Sequence, residues 1–187
     1  HARADRLWEV ARAEAIRAAT LGKPGDVTEE SKPETRLSPG LFDLTTLQRE
    51  ANARFGFSAK TTLSLAQALY EKHKVLTYPR TDSRHLPEDY LGVVKKTFAM
   101  VAADDLPAPL RPLAAHAQRA LDEGWVKPTK RVFDNAKVSD HFAIIPTLQA
   151  PKSLSEAEAK LYDLVLKRFL AVFYPAAEFL VTTRIST

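Results

Sequence analysis

Cysteine is absent from this chain. That removes disulfides, thiolate metal sites and cysteine nucleophiles, and it is compatible with a cytoplasmic protein. Long apolar runs are missing too. No stretch reaches the roughly 20 residues a membrane-spanning helix needs, so no membrane partner is expected. Histidines are few, five in all, and dispersed, with no pair at local metal-binding spacing, so no metal site is expected among these residues. Tight acidic clusters are lacking as well. Asp104-Asp105 sits in a proline-rich stretch and reads as a solvated turn. There is no internal repeat.

What is present is the composition of a soluble globular protein, 45% hydrophobic and 27% charged over 187 residues, enough for one domain or a domain plus part of another. The formal net charge of +4 mildly favours a phosphate-bearing partner. The chain opens at His1 in a helical pattern and closes at Thr187 in a strand-like alternation, as expected of a piece of a longer polypeptide.

Residues Ala4, Leu7, Trp8, Ala11, Ala15, Ala18 and Ala19 recur at helical spacing and predict an amphipathic first helix, stopped by Gly22, Pro24 and Gly25. Residues 26–40 are polar and read as an extended arm with room for a short strand. The apolar pattern thickens from Leu41. Thr45 with Gln48 has the form of a capping box, Gly56 is a stop after Phe55, and Ser58 caps a second helix whose Leu63, Ala66, Leu69 and Tyr70 face a core. Two helices about the short turn Gly56-Phe57-Ser58 form a helix-turn-helix-like unit.

Val75–Tyr78 reads as a strand or turn, restricted by Pro79. Helices are expected from near Pro87 and from about Pro112 to Gly124, then an irregular stretch to Gln149. Ser155 and Glu158 make another capping box, opening a helix through Leu161, Leu164, Val165, Phe169 and Val172 that Pro175 ends. Phe179, Val181, Thr183 and Ile185 alternate with polar residues, the pattern of a half-buried strand. The fold class expected is mainly α with short strands.

The segment Leu76-Thr77-Tyr78-Pro79-Arg80-Thr81-Asp82-Ser83-Arg84 carries the chemistry. A phenol attacks a phosphodiester if it is deprotonated in time and the phosphate charge is neutralised. Arg80 suits the second task, because its planar fork matches two phosphate oxygens. In extended chain, residues two apart share a face, so Tyr78 and Arg80 can address one phosphate. From the residues alone the alternative stays open that Tyr78 is a half-buried core tyrosine and Arg80 merely exposed. His141, beside an apolar run, is a hydrogen-bond donor to phosphate or a structural histidine. His1, His73, His85 and His116 read as structural or carry no signal. Lys127, Lys130 and Arg131, with Arg80 and Arg84, are the candidate phosphate-contacting cations, and Asp82 lies among them.

Thr77-Tyr78-Pro79-Arg80-Thr81-Asp82-Ser83 resembles the active-site signature of type IA DNA topoisomerases, nearest to their bacterial topoisomerase III branch. Residues Leu41-Phe42-Asp43-Leu44-Thr45-Thr46-Leu47-Gln48 resemble the family's approach to its tyrosine-bearing domain. A second signature resembles Ser139-Asp140-His141-Phe142-Ala143-Ile144-Ile145-Pro146-Thr147. The resemblance implies a catabolite-activator-like helix-turn-helix core in residues 41–174, with 1–40 and 175–187 as parts of a β-containing arch domain. Tyr78 would form a 5′-phosphotyrosine link to single-stranded DNA, with Arg80 positioning the phosphate, His141 donating a hydrogen bond and Asp82 behind them. The resemblance also implies magnesium and a proton-transferring glutamate in a separate toprim domain of the same polypeptide. Strand passage would need no ATP, the protein would be a monomer, and these residues alone would be inactive. Other expectations compatible with the pattern are a winged-helix DNA-binding regulator and a tyrosine recombinase fragment.

Overall fold

The computed structural model describes residues 7–103 and 106–186. The chain packs as two units. The described residues up to Arg36 together with those from Glu178 form one, and Leu37–Ala177 the other. The sequence placed these divisions after residues 40 and 174.

In the smaller unit, helix α1 (Val10–Thr20) is followed by strand β1 (Val27–Arg36), which pairs with β2 (Ala177–Ser186) in a two-stranded sheet. Cross-strand contacts run in opposite senses, as in an antiparallel pair. The Ser31 and Thr182 hydroxyls lie 2.7 Å apart, Arg184 donates to Glu29, and the Arg36 guanidinium sits 5.1 Å from the centre of the Phe179 ring. Two expectations are corrected here. Strand β2 is exposed along its whole length, not half-buried, and α1 buries no residue among those described. Alternation gives a strand two faces, but burial needs a second layer. A lone two-stranded ribbon supplies none.

The larger unit is helical, with α2 (Leu44–Phe55), α3 (Ala59–Glu71), α4 (Leu91–Ala102), α5 (Pro112–Asp122) and α6 (Glu156–Ala171). Helix α2 is capped two residues before the expected box. The Asp43 carboxylate accepts from the Thr46 N–H at 2.6 Å, while the Asp43 N–H donates to the Thr46 hydroxyl at 3.2 Å. A charged acceptor at the positive end of the helix outcompetes a threonine two residues on. Gln48 instead donates to the Ala59 carbonyl at 3.1 Å and fastens α2 to the start of α3. Gly56 adopts φ 70° as the stop, a conformation costly for any residue with a Cβ. Ser58 caps α3 as expected, its hydroxyl accepting from Thr61 at 3.0 Å.

A single 3₁₀ turn, Glu88–Tyr90, precedes α4, so the helix expected at Pro87 begins one turn later. Helix α6 ends at Ala171, ahead of the proline expected to stop it. Its apolar face, including Leu161, Val165 and Phe169, is buried against the core residues Leu47, Leu69 and Phe98. The rings of Phe98 and Phe169 lie 5.1 Å apart and those of Phe98 and Phe173 5.4 Å apart.

The α6 cap carries a pH dependence. The Ser155 N–H donates to the Glu158 carboxylate at 2.8 Å, and Nε2 of His73, just past α3, lies 3.2 Å from its other oxygen. The backbone donor first, then the Ser155 hydroxyl and His73, hold the Glu158 carboxyl below its ordinary 4.5. A carboxylate lowered on folding stabilises above its unfolded pKa, and that contribution is lost as pH falls through the folded value. Thermal melts below about pH 4.5 should therefore lose stability more steeply for the parent chain than for Glu158→Gln. Equal slopes would show that Glu158 contributes nothing to the acid limb.

Candidate active site

Tyr78 is carried out of α3 by the buried residues Val75 and Leu76 and then held by a strip of chain from the far side of the unit. The Thr77 N–H donates to the Ile145 carbonyl at 3.0 Å. The Thr77 hydroxyl donates to the Ala143 carbonyl at 3.0 Å and accepts from the Ile145 N–H at 2.9 Å. Leu76 and Pro146 form an antiparallel bridge, and on the strip's other edge Ile144 bridges Phe42. The strip is thus stitched on both sides and its apolar residues Ala143, Ile144 and Ile145 are buried.

This stitching delivers His141, at the strip's start, to Tyr78. The two rings are 4.3 Å apart, centre to centre, and tilted by 42°. His141 is exposed and Tyr78 half-buried, so the pair lies at a solvent-facing edge. Helix α3 adds Tyr70, whose ring meets Tyr78 edge-on at 5.4 Å and 78°. Arg80 is exposed on the same turn and donates to the Gln67 side-chain oxygen of α3 at 3.4 Å.

The turn beyond Pro79 is anchored by two buried hydroxyl residues. Thr81 donates to the His141 carbonyl at 3.3 Å, and its own carbonyl accepts from the Leu44 N–H at the start of α2 at 3.0 Å. Ser83 donates to the Lys137 carbonyl at 2.7 Å. One threonine therefore joins the Tyr78 turn, the His141 strip and the mouth of α2. Asp82 is exposed, and Arg84 is half-buried with its Nε donating to the Leu41 carbonyl at 3.0 Å.

The other basic candidates lie elsewhere in the unit. Lys127 is exposed. Lys130 pairs with Glu88 at 2.6 Å, both side chains being well exposed, and such a pair costs little to break. Arg131 is committed to the fold: it donates to the Val172 carbonyl at 3.1 Å and to the carbonyl and hydroxyl of Ser38. Its guanidinium closes the C-terminal end of α6 and is taken up there, a role that its position in a basic stretch does not reveal. His85 serves as backbone support, accepting from the Ala143 N–H at 3.0 Å, and burial, followed by Lys137, lowers its imidazole pKa.

Gln67 and Tyr70 were missed as site residues, Tyr70 having been assigned to the core. They lie three apart on α3 and so share a face, which was a signal that the site's partner surface is this helix.

Tyrosine, imidazole and guanidinium at one wet edge can attack, orient and neutralise a phosphodiester. Among the described residues no side chain hydrogen-bonds the Tyr78 oxygen, so none of them is placed to take its proton. The magnesium implied by the resemblance finds no ligand set here either: the described residues contain no group of three His, Asp or Glu able to hold a metal. Asp104 and Asp105 lie outside the described residues. No helix among the described residues is long and apolar enough to cross a membrane.

Residues 1–186 match the sequence profile of a family described as DNA topoisomerase. The chain is similar to DNA topoisomerase 3 of Bacillus licheniformis, 48% identical over 167 residues, covering 88% of this chain and 22% of that protein. It is similar also to DNA topoisomerase 3 of Bacillus cereus, 47% identical over 152 residues, covering 80% of this chain and 20% of that protein. Full-length topoisomerase I from Thermotoga maritima superposes with a TM-score of 0.58 and 25% identity, over 91% of this chain and 26% of that one. The chain spans about a fifth of the length of the curated relatives it matches. A profile match along nearly its whole length, with near-half identity to named relatives, means that this chain belongs to the type IA DNA topoisomerase family.

Proposed function

We propose that this chain is the strand-cleaving half of a type IA topoisomerase active site. The observation that carries the reading is the contact of the Tyr78 and His141 rings, 4.3 Å apart, beside the exposed Arg80. The Tyr78 oxygen attacks a phosphorus of single-stranded DNA, the bond from phosphorus to the 3′ oxygen breaks, and the strand stays attached as a 5′-phosphotyrosine. The freed 3′ oxygen takes a proton, and the phenol proton leaves to a base supplied by the rest of the polypeptide. Arg80 neutralises the phosphate and His141 donates to it, while Gln67 and Tyr70 hold the arginine and the phenol ring. Resealing is the reverse step. The ester link keeps the energy of the broken bond, so no ATP is consumed.

In this reading the magnesium-binding acids and the proton-transferring glutamate belong to a toprim domain of the same, monomeric polypeptide, and this chain alone does not cleave. Residues 41–174 are the tyrosine-bearing domain, with α2 and α3 as its catabolite-activator-like helix-turn-helix. Residues 1–40 and 175–187 are segments of an arch domain. The apolar residues left exposed on β2, among them Phe179, Leu180 and Ile185, suit a ribbon that continues into a larger sheet. Arg84, Lys127 and Lys130, with Arg80, supply the positive field along the strand, and Asp82 orients the turn; Arg131, bonded to Ser38 and Val172, serves the fold.

The test is to incubate the intact polypeptide with magnesium and single-stranded oligonucleotides labelled at either end, then separate the products under denaturing conditions. The expected result is a covalent species carrying the 3′-labelled piece only. Attachment through a 3′ phosphate, or no covalent species at all, would overturn the reading.

A further inference from the structure

We infer that the open groove beside α4 is a second contact site for the DNA strand that Tyr78 engages, holding nucleotides that flank the reacting phosphate on one side; this rests on the function proposed above. The groove has a volume of about 740 Å³ and is lined by Lys74, Tyr90, Thr147, Leu148, Gln149 and Lys152 among others, with no aspartate or glutamate in its lining. Both lysines are exposed, and among the described residues neither is ion-paired. Two cations over a floor of aromatic and aliphatic surface, with amide and hydroxyl groups at the rim, suit a single strand, whose phosphates need positive charge and whose bases need a flat apolar face.

Lys74 brings the groove close to the site. Tyr70 touches the Tyr78 ring on one side and receives the Lys74 ammonium 5.8 Å from its ring centre on the other. Tyr90, in the groove wall, packs at 4.8 Å on Phe142, the neighbour of His141.

Lys74 makes the strongest case. It follows the last turn of α3 at φ 61°, alone among the described non-glycine residues in having positive φ. The Thr147 hydroxyl donates to its carbonyl at 2.7 Å and the Val75 N–H returns to the Leu69 carbonyl at 2.9 Å. This is the left-handed position after a helix where glycine is favoured. A lysine there costs the fold something and places an ammonium at the groove mouth, so the strained residue points to a ligand.

That strain gives a clean test, because Lys74→Gly removes the cation while relieving the backbone. The intact polypeptide carrying Tyr78→Phe, which retains the ring, is titrated with fluorescein-labelled oligothymidylates extended stepwise on either side of the cleavage position. Each lost single-strand phosphate contact lowers the salt slope by about 0.7, equivalent to about fivefold in affinity at 0.1 M salt. The expected result for Lys74→Gly with Lys152→Gln is a loss of about 25-fold and a slope flatter by about 1.4, seen only when the oligonucleotide is extended on one side. The melting temperature of Lys74→Gly should equal or exceed the parent's. Lys160→Gln with Lys167→Gln, the same charge change on cations already paired with Glu156 and Asp163, should produce no length dependence. Equal affinity of parent and lysine variants at every length overturns the groove, as does a loss that the α6 control reproduces. If covalent adduct forms normally in the tyrosine parent while the lysines prove indifferent, the groove falls and the nucleophile stands. If the lysines matter but no adduct ever forms, the groove stands and the nucleophile falls.

Discussion

Tyr78→Phe in the intact polypeptide should leave no covalent DNA adduct, while the 187-residue chain alone should form none even with Tyr78 in place and magnesium present. The first half follows from the chemistry of the side chain. Phenylalanine keeps the ring contacts with Tyr70 and His141 and removes only the attacking oxygen, which has no hydrogen-bond partner among the described residues. Stability should therefore change by no more than about 0.5 kcal/mol, so a lost adduct is not lost folding. The second half follows from proton handling. A phenol becomes a good nucleophile only as its proton leaves, so Tyr78 needs a base or strong positive charge beside its oxygen. Arg80 is held toward Gln67, and among the described residues no side chain hydrogen-bonds the phenol oxygen. Missing acid–base assistance alone costs about 10²–10⁴-fold in rate. In the intact polypeptide, Arg80→Ala should lower the cleavage rate by about 10²–10³-fold, the scale of losing one charge-stabilising donor. Adduct formation by the isolated chain that vanishes with Tyr78→Phe would show that this unit carries its own base.

Arg168→Ala should cost the fold about 2–3 kcal/mol without removing any group from the reacting edge. Arg168 projects from α6 with only 10% of its side chain exposed and is bonded to Glu50 of α2. It also donates to the Gly40 carbonyl at 3.0 Å, and its guanidinium lies 4.1 Å from the centre of the Phe42 ring. Burial, the largest influence, lowers its pKa, while Glu50 opposes that shift; the guanidinium stays charged either way, so the carboxylate's role is to compensate it. Alanine would leave the Glu50 carboxylate, 23% exposed, with Arg54 as its remaining partner, and open a void over Phe42, whose backbone bridges Ile144 of the His141 strip. Equilibrium denaturation measures the loss. The Glu50→Gln, Arg168→Met double variant should recover part of it, since it refills the space over Phe42 and removes both charges of the pair together. A cost under about 0.5 kcal/mol for Arg168→Ala would mean that the pair is effectively a surface pair.

Short-range chemistry was legible without coordinates. Ser58, Gly56 and the Ser155–Glu158 box were read as caps because their partners stand within four residues and the bonds depend only on local backbone. The same locality explains the miss at α2. Thr45 with Gln48 and Asp43 with Thr46 both satisfy a three-residue spacing, and acceptor strength at the helix end, not spacing, separates them. The motif at Tyr78 was legible through its resemblance to the topoisomerase signature, because a tyrosine, a proline and an arginine within three residues fit a half-buried core tyrosine as well.

Long-range placement was decided elsewhere. Nothing in the order of residues brings His141 to Tyr78. The strip that does so is held by Thr77 to Ala143 and Ile145, and by Phe42 to Ile144, bonds whose geometry depends on the packed helices beneath. Arg131 and Lys127 look alike in a basic stretch, yet one is consumed by the carbonyls of Ser38 and Val172 while the other is exposed. Strand β2 has the alternation of a buried strand and is exposed from end to end. In each case the side chain's intrinsic preference is the same in either outcome. The result turns on which surface arrives to meet it, and only the tertiary arrangement supplies that surface.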